Sequence, residues 1–408
     1  EIDLVFVQLF FILLSFFFRH VPGGIVLIKS KVLNTTLCLR KFLAFFIGLC
    51  TYWIMLKKNE FLLVNAFFLF FYISQSFMKS EKQKFLVCFS AFILHLVSCL
   101  YVFKFYYGVY YPTHLSMITM MIVPKLMYFV WGQRSKMDHE HDIQKRSFLD
   151  LLCYIYCYPG SLIGPAMSFQ EYLNFLSNKK ELRYRATTSD YINNLLIIAF
   201  TAAYIILIPR LFDMRKIMTE EFAEMPKIWQ FLWFVMGFTF FRFRLVFAFA
   251  LAHIRSLILG ISGVNPLLKS EHKLESYLKS VNFYVEESSF VFRTKINNWN
   301  ISISKWLRDC FYFKFTEIFG IHKDTSSFIV FFLSSMWHGF YPSYYIGFVF
   351  FNVALLTERN FYKIKDTCPF YWLLKGIMGF TTLLISASGI LFSATVWEDT
   401  KMVFKNIT

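Results

Sequence analysis

The sequence has little charge and few breaks in its apolar character. Only 17% of its 408 residues are charged, whereas 57% are hydrophobic, 21% are aromatic and the mean hydropathy is +0.50; soluble domains carry about 25% charged residues. A spanning helix needs about 20 mostly apolar residues, and such runs recur from end to end with only short polar breaks. The composition therefore predicts an integral membrane protein built as one polytopic unit, with no separate soluble domain.

Acidic residues are scarce beside basic ones: 26 Asp and Glu face 42 Lys and Arg, which gives a net charge of +16. In a soluble protein this excess would suggest nucleic acid as a partner. Here the basic clusters at residues 79–84, 177–185 and 359–365 flank apolar segments, where they anchor helix ends and face anionic lipid. The sequence therefore predicts membrane lipid and no nucleic acid as a partner, and because the clusters occupy many loops, it leaves the membrane orientation open.

The sequence also lacks the spacings of a disulfide framework or a metal site. Its eight cysteines are scattered, several of them within apolar runs, which favours small buried hydrophobic side chains. Cys153 and Cys157 lie one helical turn apart, but no second thiol or histidine pair accompanies them. The run DHEHD at residues 138–142 lacks i, i+4 histidine spacing and lies in a charged loop. No metal site is predicted.

Apolar runs predict about ten or eleven transmembrane helices, and no internal repeat accompanies them. The first run lacks the basic flank and the small-residue cleavage site of a signal peptide, so we expect it to be a first span. The predicted helices lie near residues 4–18, 42–56, 61–78, 85–103, 115–131, 191–208, 228–241, 245–262, 326–337, 343–356 and 371–395.

Two stretches depart from simple spanning helices. In residues 151–175, proline–glycine and glycine–proline pairs lie inside a hydrophobic run and predict that a helix ends twice. Irregular backbone at membrane depth is tolerated only against protein or a wet cavity. Residues 294–315 are aromatic and basic but too polar to span, so we expect an amphipathic helix at the interface or lining a cavity.

The apolar run at residues 331–351 contains the strongest candidate for chemistry, His338. Gly339 and Pro342 follow it within one turn and Trp337 and Tyr341 flank it, so we expect the backbone to bend and the imidazole to line an opening. Imidazole is the side chain whose unperturbed pKa permits proton removal near neutrality. A catalytic base and a packing or gating histidine of a transporter both fit this context.

Other polar residues within apolar runs favour structural interpretations. His95 and His253 are equally deep by sequence, and for each we favour a hydrogen-bonded structural histidine. Ser335 lies one turn before His338 and would share its helical face. A serine in a helix often bonds a carbonyl one turn back, however, and no G-x-S-x-G elbow exists to expose it. A serine nucleophile is therefore disfavoured.

Four stretches in order, within about residues 110–360, resemble the membrane-bound O-acyltransferase (MBOAT) family, in its lysophospholipid acyltransferase branch. They are YCYPGSLIGPAMSFQEYLNF with its glycine–proline turn, RFRLVFAFALAH, NNWNISISKWLRDCFYFK and SSMWHGFYPSYYIGF with its W-H-G core. The second is a partial match. Departures from the family's pattern occur at Leu245, Val246, Phe249, Ile303 and Ser343.

The resemblance implies an all-α fold with re-entrant and interfacial helices around a central tunnel, and an endoplasmic reticulum location. It assigns the active site to His338 and Asn300, and it implies acyl-CoA as co-substrate and a lysophospholipid as acceptor, without a tightly bound cofactor. Matched stretches supply candidate substrate-binding residues, with the cations available either for the phosphates of CoA or for lipid headgroups. These residues are Trp299, Trp337, Tyr341, Tyr344, Arg242, Arg244, Lys305 and Arg308.

The expected organisation is a single membrane domain over residues 1–408, with peripheral helices in 1–109, the motifs in 110–360 and a helix and tail in 361–408. Two other functions stay open at this point: a protein- or sterol-directed member of the same family, and a transporter. The oligomeric state is open as well, a homo-oligomer included. A transporter would show paired broken helices and several deep charges, whereas deep polar residues are few in this sequence.

Overall fold

The computed structural model describes residues 2–30, 35–106, 114–131, 147–179, 184–212, 216, 219–262 and 278–363. Within these ranges the chain is mostly helical, as predicted. The expectation of a purely α-helical chain needs one correction, because an antiparallel pair of strands, β1 (Val26–Ser30) and β2 (Thr35–Cys38), links the first two helices. The predicted helix at residues 371–395 and the DHEHD run lie outside the described residues.

The helices of the described ranges are numbered in chain order. They are α1 (Ile2–His20), α2 (Leu39–Met55), α3 (Lys58–Gln75), α4 (Glu81–Tyr106), α5 (His114–Trp131), α6 (Phe148–Ile155), α7 (Phe169–Ser177), α8 (Thr188–Leu211), α9 (Glu220–Glu224), α10 (Lys227–Leu259), α11 (Phe283–Ser288), α12 (Phe292–Asn298), α13 (Ile301–Leu307), α14 (Phe313–Phe319), α15 (Lys323–His338) and α16 (Pro342–Lys363). A 3₁₀ turn spans Tyr158–Gly160 and a π turn spans Arg308–Tyr312.

Four of the described helices are long and apolar enough to cross a membrane: α4, α5, α8 and α10. The predicted count of ten or eleven spans is therefore not established. One boundary is wrong, because the segments expected at residues 228–241 and 245–262 form the single helix α10 of 33 residues. No glycine or proline interrupts the helix at residues 242–244, and Arg242 has buried carboxylate partners.

Burial separates a central helix from a peripheral one. In α5, 78% of the spanning window is buried within the protein, against 11% in α8. The exposed side chains of α8 include Ile192, Leu196 and Phe200, which suit contact with hydrocarbon. The helix α5 therefore forms part of the interior, while α8 packs one face on α10 and presents the other to lipid.

The helix in residues 151–175 is interrupted, as predicted, although it ends once in this stretch rather than twice. The helix α6 ends at Ile155, and irregular backbone connects it to α7. Two buried cations from other helices bind the carbonyls left without helical partners. The Lys125 ammonium donates to the Ile155 carbonyl at 2.8 Å, and the Arg255 guanidinium donates to those of Pro159 and Gly164 at 2.8 Å each. The break is therefore held by charge-assisted hydrogen bonds.

Residues 294–315 do not form one amphipathic interfacial helix. The segment is divided into α12, α13 and the π turn, and it lies largely inside the protein, with Trp306 and Phe311 fully buried. The break between α12 and α13 falls at Asn300, whose φ of 44° and ψ of 50° are left-handed. Asparagine tolerates this conformation better than most residues. The alternative of a segment lining the interior therefore describes it better than the interfacial one.

Replacing Arg255 with methionine should destabilise the protein, because the Pro159 and Gly164 carbonyls would lose buried donors. An unsatisfied buried acceptor costs about 1–3 kcal/mol. The thermal unfolding midpoint in detergent measures the effect. Arg210, exposed near the end of α8, gives the matched control Arg210→Met, which should leave the midpoint close to wild type. Equal midpoints for the two variants would show that the carbonyl contacts do not hold the break.

Candidate active site

His338 is the last residue of α15, at the point where the chain turns into α16. The turn depends on Gly339, whose φ is 117°, a backbone conformation that an L side chain rarely adopts. Pro342 then begins α16. The predicted bend after His338 is therefore present, and it places the imidazole at the end of a helix rather than on its side.

Aromatic rings surround the imidazole of His338. Its ring lies nearly parallel to those of Tyr344 and Phe348, with centroids 5.1 and 5.2 Å away, and edge-on to Trp337 at 5.0 Å. The ring is partly exposed, and within the described ranges neither of its nitrogens is hydrogen-bonded to a protein group. Stacking thus fixes the plane of the ring while its nitrogens stay available to a substrate. Tyr344, predicted to bind substrate, forms one wall of this site, and Tyr341 packs against Tyr344 at 6.0 Å.

Trp337, another predicted substrate-binding residue, is held by three neighbouring helices. Its indole N–H donates to the Met120 carbonyl of α5 at 3.1 Å, and its ring packs on Trp306 of α13 with centroids 5.9 Å apart. Its own carbonyl accepts a hydrogen bond from His95 of α4 at 2.6 Å. Trp337 is 2% exposed, so in this geometry it supports the neighbouring His338 rather than facing a substrate.

The serine one turn before His338 has the partner expected of a structural serine. Ser335 is fully buried, and its hydroxyl donates to the Phe332 carbonyl at 2.6 Å. A nucleophile needs a base within hydrogen-bond reach, and this hydroxyl is directed at a backbone carbonyl instead. The geometry therefore agrees with the interpretation that disfavours Ser335 as a nucleophile.

Asn300 begins α13, the helix that packs against the end of α15 through Trp306. Its side chain caps none of the backbone N–H groups of α13. The preceding residue, Trp299, packs edge-on against Phe249 of α10 at 5.8 Å. Asn300 is partly exposed, and its segment contacts Trp337, the residue before His338, through Trp306.

The four stretches that carry the resemblance contact one another in the structure. The Ala166 backbone N–H in the glycine–proline segment donates to the Ser302 hydroxyl of α13 at 3.2 Å. Phe249 and Trp299 join the second stretch to the third, and Trp306 and Trp337 join the third to the fourth. Residues distant in sequence thus form one continuous contact region around His338.

The four cations predicted to bind phosphates lie in different environments. Arg242 is buried and pairs with Glu286 at 2.6 Å and with Glu287 at 2.7 Å. Its charge is neutralised inside the protein, whereas the sequence suggests CoA phosphates or lipid headgroups as partners. Burial raises the pKa of the Glu287 carboxyl, although Arg242 lies beside it and opposes that shift. Arg242 therefore ties α10 to α11.

The other three predicted cations are more accessible than Arg242. Arg244 is partly exposed and lies over the Phe240 ring at 5.7 Å, Lys305 is partly exposed on α13, and Arg308 is exposed in the π turn. Lys305 and Arg308 lie on the same segment as Asn300. Arg308 is therefore the one of these two whose placement suits an anionic group arriving from solvent, because the Nζ atom of Lys305 is itself buried.

Two further histidines, both expected to be structural, differ in what they touch. His253 contacts the side chains of Asn194 and Ser262, at 3.1 Å each, at the end of α10. His95 contacts the Trp337 carbonyl, next to His338. No sequence spacing relates residue 95 to residue 337, so its place beside the site could not be read from the sequence. Within the described ranges, no group of three or more His, Cys, Asp or Glu residues is arranged to hold a metal ion.

Comparisons with known proteins identify the family of this chain. The chain matches MBOAT, the membrane-bound O-acyltransferase family, over residues 70–393. It is 25% identical over 255 residues to lysophospholipid acyltransferase 6 of Drosophila melanogaster, covering 57% of this chain and 34% of that protein. It is 24% identical over 241 residues to human membrane-bound glycerophospholipid O-acyltransferase 1, covering 54% of this chain and 47% of that protein.

A third relative is matched over a longer stretch. The lysophospholipid acyltransferase of Schizosaccharomyces pombe is 22% identical over 334 residues, which cover 74% of this chain and 62% of that protein. The matches thus span from 34% to 62% of the length of these three relatives.

Replacing Arg242 with methionine should destabilise the protein strongly, because Glu286 would stay buried with a partner removed. Breaking a buried ion pair in this way costs about 3–5 kcal/mol. Thermal unfolding followed by tryptophan fluorescence checks the size of the loss. Arg293 is exposed, and Arg293→Met should change stability by less than about 0.5 kcal/mol. If Arg242→Met unfolds at the wild-type temperature, the arginine is not structural.

Proposed function

The chain belongs to the membrane-bound O-acyltransferase family, and from this premise we propose that it transfers a long-chain fatty acyl group from acyl-CoA to the free glycerol hydroxyl of a lysophospholipid. One observation carries the proposal: an imidazole with both nitrogens unoccupied by protein groups of the described ranges lies at the end of a helix, where the four family-like stretches meet. The names of the relatives, two lysophospholipid acyltransferases and a glycerophospholipid O-acyltransferase, support this acceptor class.

In the proposed reaction, neutral His338 accepts the hydroxyl proton as the glycerol oxygen attacks the thioester carbonyl. The carbon–sulfur bond then breaks, the acyl ester forms and the CoA thiolate takes the proton back from the imidazolium. Stacking on Tyr344 and Phe348 keeps the imidazole plane fixed during both proton transfers. A positioned general base contributes about 10²- to 10⁴-fold in rate.

Asn300 has two possible tasks in this reaction. Its amide N–H can donate to the developing oxyanion, or the amide can orient the acceptor hydroxyl. Its side chain caps no helix, so either task leaves the fold of α13 intact. An oxyanion donor typically contributes about 10²- to 10³-fold to kcat, whereas loss of an acceptor-orienting group would also raise KM for the lysophospholipid.

We expect labelled long-chain acyl-CoA to yield labelled phospholipid when membranes containing the wild type are supplied with lysophospholipids of different headgroups. His338→Ala should lower kcat by about 10²-fold or more, because the general base is lost. Ser335→Ala is the matched control within the same helix, and it should keep most of the activity. Full activity in His338→Ala would refute the mechanism, and transfer only to protein or sterol would redirect the proposal to another branch of the family.

Asn300→Gly removes the side-chain amide and preserves the backbone, because glycine adopts the left-handed conformation of residue 300 without strain. We expect kcat to fall by about 10²-fold with little change in the thermal midpoint. Steady-state kinetics with both substrates varied separate the two tasks: a lower kcat alone indicates oxyanion stabilisation, whereas a higher KM for the lysophospholipid indicates acceptor orientation. Wild-type values for both constants would exclude Asn300 from the site.

We further propose that Lys305 and Arg308 bind phosphate groups of acyl-CoA. Both lie on the segment that begins with Asn300; Arg308 is exposed, and Lys305 is partly exposed with its Nζ atom buried. Arginine and lysine recognise phosphate through charge-assisted hydrogen bonds. The endoplasmic reticulum location implied by the resemblance belongs to the same proposal.

A further inference from the structure

His95 lies on α4 and is fully buried. Its two ring nitrogens contact different helices. The Nε2 atom lies 2.6 Å from the Trp337 carbonyl oxygen at the end of α15, and the Nδ1 atom lies 2.9 Å from the Thr119 hydroxyl oxygen of α5. The residues of the first contact are 242 positions apart in sequence. One histidine therefore joins three helices immediately beside the proposed base.

The hydrogen-bond partners fix the protonation of the neutral ring. A carbonyl oxygen can only accept, so Nε2 carries the hydrogen and donates it to Trp337. Nδ1 then carries no hydrogen. The Thr119 hydroxyl beside it donates to the Leu115 and Ser116 carbonyls of its own helix, at 2.9 and 3.1 Å. The donation that the neutral ring defines is therefore the one from Nε2 to the Trp337 carbonyl.

The carbonyl bound by His95 is one that α15 leaves without a helical partner. The last four carbonyls of a helix have no intrahelical donor, and α15 ends at His338, one residue after Trp337. The peptide bond that contains this carbonyl joins Trp337 to His338. A hydrogen bond to it therefore limits rotation of the peptide plane next to the Cα atom of the base.

We propose that His95 is a positioning residue for His338, acting through the Trp337 carbonyl. The proposal rests on the function proposed above and adds a residue to that site. The indole of Trp337 is bound separately by Met120, so loss of His95 would leave the tryptophan in place and free only its peptide plane. A small displacement of a catalytic group can cost about 10²-fold in rate.

Three variants test the positioning role. His95→Leu introduces an apolar side chain of similar size and removes the contacts of both ring nitrogens. His95→Gln introduces an amide, whose N–H can donate to the Trp337 carbonyl and whose oxygen can lie beside Thr119. His253→Leu is the control, since it removes two contacts of another histidine, at 3.1 Å each, and its partners, Asn194 of α8 and Ser262, lie on neither α15 nor α16.

We expect His95→Leu to lower kcat by about tenfold or more, the effect of about 1.4 kcal/mol, with KM for acyl-CoA unchanged. His95→Gln should restore most of kcat, and His253→Leu should leave kcat near wild type. A His95→Leu variant with wild-type kcat would overturn the proposal. So would an equal loss in His95→Leu and His95→Gln, or a change confined to KM.

A second readout keeps this test independent of the acceptor. Diethyl pyrocarbonate modifies imidazole nitrogens, and mass spectrometry of the peptide containing His338 gives the rate of modification without any acyl transfer. We expect a changed rate at His338 in His95→Leu and a wild-type rate in His95→Gln. Equal rates in all three proteins would overturn the positioning role. Absence of acyl transfer by the wild type, with these rates as expected, would refute the proposed function alone.

Discussion

Buried cations that donate to backbone carbonyls hold the places where helices end inside this protein. Hydrocarbon offers no partner to a peptide group, so each interruption of a helix needs one from the protein. Arg40 donates to the Phe18 carbonyl near the end of α1 and to the Phe175 carbonyl of α7. Lys125 and Arg255 do the same for the irregular segment between α6 and α7. These cations stabilise the fold, and their hydrogen bonds to backbone carbonyls explain their burial without a bound substrate.

The same requirement shapes the candidate site. The helix α15 ends at His338, and this end leaves the Trp337 carbonyl without a helical donor. His95 donates a hydrogen bond to that carbonyl. At the start of α12, the buried Glu358 carboxylate of α16 accepts two backbone N–H groups at 2.7 and 2.8 Å. Because α16 also carries Tyr344 and Phe348, one helix contacts both the imidazole and the segment that leads to Asn300.

Features set by local chemistry were predictable from the sequence. Gly339 and Pro342 indicated the bend after His338, and the proline–glycine pairs in residues 151–175 indicated the broken helix, because these residues restrict the backbone wherever they occur. Residue types at fixed short spacings also carried the family resemblance, which the match over residues 70–393 confirms.

Features set by distant partners were not predictable. Arg242 was a candidate cation for CoA phosphates or lipid headgroups, yet Glu286, 44 positions away, makes it part of an internal ion pair. His95 was indistinguishable from His253 by sequence, because their difference lies in which helix packs against each.

Several polar side chains that hold the fold have hydrogen-bond partners within the protein, whereas the imidazole of the proposed base has none within the described ranges. Arg255, Arg242, Ser335 and His253 have protein partners at hydrogen-bonding distance. The imidazole of His338 is held by stacking alone within the described ranges, at a partly exposed position. A polar ring gains stability from a hydrogen-bond partner. A substrate hydroxyl would supply that partner, which is why this histidine is the best candidate for a catalytic base among those the structure describes.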